Sequence, residues 1–108
     1  MTEPDRRKWI YVVQLEIPAA HEATFNRLYD DEHVPALLAV PGVRSCQRYK
    51  MEWADTPTMP RYLAIYEVDG PDVPKSPAWR AASDSGNWPH QVRPHLTVRQ
   101  HGMFQNTY

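Results

Sequence analysis

Eleven prolines in 108 residues cut this chain into short segments, and the hydrophobic period changes from one segment to the next. That alternation constrains the fold more than any single motif, because period two demands a strand and period 3.6 a helix. Residues 9–17 are rich in aromatic and β-branched side chains, stop at Pro18, and read as a strand. From residue 19 to about 33 the pattern turns helical. Phe25, Leu28, Tyr29 and the pair Glu32-His33 share one face at spacings of three and four, while Glu22, Asn26, Asp30 and Asp31 mostly face water. Pro35 is expected to end or kink this helix just after His33, because the residue before a proline avoids the helical region. Residues 36–40 add a further apolar turn before Pro41-Gly42 closes the segment.

Residues 43–53 read as a second strand, with Val43, Ser45, Gln47, Tyr49 and Met51 on one face and Arg44, Cys46, Arg48 and Lys50 on the other. A loop over 54–60 leads to a third strand over 61–68, and so short a connection implies antiparallel neighbours. Ser76 as N-cap and Pro77 at the first helical position predict a short helix to residue 83. Residues 87–94 read as a loop and 96–104 as the last strand. The order strand, helix, strand, strand, helix, strand predicts an α+β, ferredoxin-like βαββαβ domain with a four-stranded antiparallel sheet and two helices on one face. One such domain accounts for residues 9–108, after a flexible arm over 1–8. The first and third strands carry apolar residues on both faces, yet there is helix enough to cover only one. A homodimer closed through the helix-free face is the expected solution for a chain with so thin a core.

Composition excludes more than it selects. Twelve basic and thirteen acidic residues give a net charge of −1, which removes the electrostatic basis for nucleic-acid binding. No stretch approaches the ~18 apolar residues of a membrane span, and residues 1–5 do not read as a signal peptide, so a cytoplasmic protein is expected. The one cysteine, Cys46, reads as a small apolar filler between Arg44 and Arg48. No histidine pair has zinc spacing, and neither GxGxxG nor a Walker loop is present, so neither metal nor nucleotide cofactor is expected.

The stretch from Tyr29 through Glu32-His33-Val34-Pro35 to Pro41-Gly42-Val43, followed by Gln47-Arg48-Tyr49, resembles the dimeric α/β-barrel superfamily and within it the small EthD-like proteins. Residues 62–68 and 76–80 fit the same pattern. The resemblance spans roughly residues 9–104 and implies the fold, the dimer and a histidine and a proline late in the first helix. It does not imply a single activity, because the superfamily holds monooxygenases, isomerases, cyclases, decolorising peroxidases and proteins with no assigned reaction.

His33 is the leading catalytic candidate. Phe25, Tyr29 and His33 form an i, i+4, i+8 row that drifts by about 40° per step, so His33 is expected at the edge of the buried stripe, at a pocket mouth. A half-buried imidazole there keeps a near-neutral pKa, with Asp30 raising it, and serves as a general base. The alternative is a structural histidine satisfying the backbone where Pro35 breaks the helix. Tyr11 and Tyr66 are candidate donors to an enolate oxygen. Phe25, Tyr29, Trp79 and Trp88 are candidate walls for a flat ligand, and Arg48 and His101 candidate anchors for it. Arg99 shares the face of His101, and the two are candidates to orient a carboxylate or enolate; for both, as for Arg48, an exposed or interface role is the competing expectation. These residues predict a cofactor-independent enzyme that removes a proton from a small hydrophobic or aromatic carbonyl or phenolic metabolite. A binding protein without turnover and a haem-binding dimer are the alternatives.

Overall fold

The computed structural model describes residues 5–107. Four strands, β1 (Trp9–Glu16), β2 (Val43–Lys50), β3 (Tyr62–Val68) and β4 (Val98–Gln105), form one antiparallel sheet in the order β2-β3-β1-β4. The helices α1 (Ala19–Leu28), α2 (Val34–Leu38), α3 (Pro77–Ser83) and α4 (Trp88–Gln91) pack on one face, making the ferredoxin-like α+β fold. β1 and β3 are central, which explains their apolar character on both faces. Towards the helices they send Val13, Leu15, Ala64, Tyr66 and Val68 into the core, where Ile17, Phe25, Leu28, Leu37 and Val92 meet them. Ser76 caps α3 as expected: its Oγ accepts a 3.1 Å bond from the Trp79 N–H, and Pro77 opens the helix.

Three expectations need correction. Pro35 does not end the first helix. Instead one wide π turn, Tyr29–His33, joins α1 to α2, with the Val34 N–H reaching back to the Tyr29 carbonyl. Pro35 then falls in the first turn of α2, where its missing N–H and its ring are tolerated. In β2 the register slips between Val43 and Ser45, so Val43 shares the helix-side face with Cys46 rather than the opposite face with Ser45. The stretch read as a loop after Asn87 contains α4 and a 3₁₀ turn, Arg93–His95. Residues 1–4 of the expected arm lie outside the described residues. Within residues 6–8, Asn106 donates to the Arg6 and Lys8 carbonyls and accepts from the Lys8 N–H.

No helix among the described residues is long and apolar enough to cross a membrane. The sheet's other face carries Ile10, Val12, Leu63 and Ile65 on the central strands, with Tyr49 and Phe104, 49 % and 55 % exposed, on the edges.

Candidate functional site

Between the sheet and the helices lies a chamber of about 320 Å³. Its position follows from the pairing register. Tyr11 stands opposite Met103 and Tyr66, Val13 opposite His101, and Leu15 opposite Arg99, so His101 and Arg99 face the helices rather than the bare side. Trp79 from α3, Trp88 from α4, and Tyr29 and His33 from the π turn close the other walls.

The π turn decides where His33 goes. A wider turn advances less per residue than an α turn, so it cancels the drift that would carry His33 to the edge of the buried stripe. The imidazole is therefore 8 % exposed, not half-buried. Its ring stacks on the Trp88 indole at a centroid distance of 4.0 Å and meets the Tyr29 ring edge-on at 5.4 Å. Nδ1 has no hydrogen-bond partner among the described residues. Burial, reinforced by the positive charges of Arg93 and Arg99, pushes the His33 pKa down to about 4. That corrects the near-neutral value expected from sequence: His33 is neutral at physiological pH. Asp30 does not assist it, because its exposed carboxylate pairs with Arg48 at 2.6 Å.

The tyrosines divide by hydrogen bonding. Tyr66 donates a long, 3.5 Å bond to the Tyr29 oxygen and lies across the strand pair from Cys46. Burial holds both phenols protonated, Tyr29 at about 12 and Tyr66 higher still. Tyr11 packs against Trp79 and His101, and its hydroxyl has no partner among the described residues. Burial raises its pKa while Arg99 opposes the shift, so the group stays a hydrogen-bond donor. His101 is shifted downwards by burial and by Arg99.

Two sequence candidates are not in the chamber. Phe25 is fully enclosed in the core, against Tyr62 and Trp88. Arg48 lies beyond the Tyr29 ring, its guanidinium 4.2 Å from the ring centroid, held by Asp30 and Asn26 in a separate groove. The chamber gathers seven: Tyr11, Tyr29, His33, Tyr66, Trp79, Trp88 and His101. It also uses Arg99, which the sequence offers beside His101 as a group to orient a carboxylate or enolate, and Ser83 and Leu96, which were not among the site candidates. Arg99 was legible from the alternation of β4; Ser83 and Leu96 carry no local signal of a site. Cys46 is half-buried with its pKa raised by that burial, so it is no thiolate. Among the described residues no three His, Cys, Asp or Glu side chains are grouped to hold a metal; His21 and His95 stack ring on ring at 3.7 Å.

No protein-family model matches the chain, and no curated protein does. Solved structures do. An ethyl tert-butyl ether d (EthD) family protein from Bacillus halodurans superposes with a TM-score of 0.65 at 10% identity, over 92% of this chain and 99% of that one. The chain has the same ferredoxin-like fold. The heme-degrader MhuD from Mycobacterium tuberculosis gives a TM-score of 0.60 at 14% identity, over 93% and 96% of the two chains. SnoaB, a cofactor-independent oxygenase from Streptomyces nogalater, gives 0.51 at 18% identity, over 97% and 96%. Each is a likeness of fold, and the chamber residues alone speak for chemistry.

Proposed function

We propose that the chamber binds a small, flat, hydrophobic or aromatic carbonyl or phenolic compound and that His33 removes a proton from it without a bound cofactor. The observation that carries this reading is a buried, uncharged imidazole in the same enclosed wall as Tyr11, a phenol with no hydrogen-bond partner among the described residues. An uncharged imidazole has a lone pair to accept a proton, and the Tyr11 hydroxyl is a donor for the oxygen on which charge collects. Tyr66, already engaged with Tyr29, is the weaker candidate for that second role and orders the wall. Trp79, Trp88 and Tyr29 hold the ligand's plane, and His101 bounds it on the sheet side. Phe25 supports this wall from behind. Catalysis rests on the enolate or phenolate lowering the cost of forming the imidazolium beside it, since an imidazole with a pKa of about 4 is a weak base on its own.

That same low pKa favours a second reading, a carrier that binds the ligand and does not turn it over. Haem does not suit the chamber. About 320 Å³ is at the small end of ligand cavities and suits a compact ring system rather than a tetrapyrrole. The bare sheet face supports a homodimer in which each copy covers the other's Ile10, Val12, Leu63 and Ile65.

Deuterium exchange at the carbon next to the carbonyl of 2-tetralone, followed by NMR, separates the two readings. The protein is expected to accelerate exchange over buffer, His33→Gln to lower that acceleration at least about 100-fold, and Tyr11→Phe roughly 10-fold or more. Binding of 2-tetralone with no acceleration makes the protein a carrier.

A further inference from the structure

We propose that the ligand is an anion, an aromatic body in the chamber bearing a carboxylate that Arg99 and Arg80 hold at its mouth. The proposal rests on the chamber being the binding site. A second recess of about 300 Å³ adjoins the chamber and shares Trp79, Ser83 and Arg99 with it. Its remaining lining includes Arg80, Asp84 and Arg93. Three guanidinium groups therefore face one carboxylate.

That carboxylate is already taken. Asp84 accepts from Arg93 Nη1 at 2.8 Å, while Arg93 Nη2 donates to the Ser83 carbonyl and hydroxyl at 2.9 and 3.2 Å. The side chains of Arg80 and Arg99 make no ion pair and no hydrogen bond among the described residues. The recess thus carries two uncompensated positive charges next to an apolar, aromatic room. Arg99 acts electrostatically on Tyr11, His33 and His101 alike, so its field crosses the chamber itself.

A neutral ligand leaves that field unanswered, whereas a carboxylate projecting from the edge of the ring system answers it. A planar carboxylate takes two parallel N–H···O bonds from one guanidinium, which a hydroxyl or carboxamide does not reproduce. The shared wall sets the geometry: Trp79 contacts the ring system on the chamber side and the anionic group on the other. The ligand class is an aromatic or polycyclic monocarboxylic acid.

Calorimetric titration of the full-length protein with 2-naphthoate and with 2-naphthamide, at neutral pH and low salt, tests this. The native protein is expected to bind 2-naphthoate at least about tenfold more tightly than the amide. Arg99→Gln should reduce that ratio to roughly threefold or less, and Arg80→Gln should reduce it by a smaller factor. Both arginines are exposed, and a circular dichroism spectrum like that of the native protein checks that each variant is folded. If the two probes bind the native protein equally, the anion is refuted and the chamber reading stands. A preference for naphthoate that Arg99→Gln leaves intact also refutes it. If neither probe binds, both readings fall together.

Discussion

At His33, burial and two nearby guanidiniums act in the same direction: each makes the imidazolium costly. The ordinary histidine pKa of 6.5 applies in the unfolded chain and about 4 in the folded one, so the unfolded state binds the proton more readily. Stability is therefore full above about pH 6.5 and falls as pH drops towards 4, by up to about 1.4 kcal/mol per pH unit and roughly 3 kcal/mol in all. His101, shifted downwards too, adds to the loss with the same sign. Urea unfolding at pH 7 and at pH 5 is expected to show the native protein losing stability, and His33→Phe, which keeps an aromatic ring against Trp88, losing distinctly less. Equal losses in both proteins would place the titrating group elsewhere.

At the scale of elements, the π turn and α4 form one unit. Glu32 leaves the π turn and accepts from the Asn87 N–H at 2.9 Å and from Asn87 Nδ2 at 3.0 Å, which fixes the residue before Trp88. The tether holds α4, a helix of four residues too short to stand alone, over His33. Gly86 belongs to the same arrangement: its φ is +66°, and a Cβ there would come within 2.5 Å of the Glu32 carboxylate. Glu32→Ala is expected to leave the sheet intact while raising hydrogen exchange in residues 87–92 at least about tenfold and red-shifting tryptophan emission as Trp88 becomes wetter. Unchanged protection over 87–92 would mean that packing alone seats α4.

At the scale of the molecule, the chain is a slab. It measures 57 × 35 × 18 Å with a radius of gyration of 15.0 Å, against about 13 Å for a compact domain of this length. A single sheet with helices on one side leaves its second apolar face to be covered, and a second copy is the cover that the isolated chain can find. Light scattering at low micromolar concentration is expected to give about 25 kDa, twice the 12.6 kDa chain. Ile65→Asp puts a charge in the middle of the bare face and should yield a folded monomer. A native protein that runs as a monomer would overturn the dimer.

Period and local stereochemistry were enough to set the order of elements, the Ser76 cap, the two-sided apolar first and third strands, and the row Phe25, Tyr29, His33 on the inward side of the first helix. Alternation in β4 also made the common face of His101 and Arg99 legible, though not which side of the sheet that face was on. That side follows from pairing β4 with β1, a contact between residues about ninety positions apart that no local pattern encodes. The depth of His33 was likewise beyond local reading. One extra residue in a helical turn changes the angle at which a side chain leaves it, and the π turn at Tyr29–His33 holds where α2, α4 and the Glu32 tether pack around it. Arg48 and Phe25 show the same limit from the other side. Spacing marked an inward face for Phe25 and residue type made Arg48 a candidate anchor, but Phe25 filled the core and Arg48 turned to Asp30 and Asn26, because solvation and ion pairing are decided by neighbours that only the folded chain brings together.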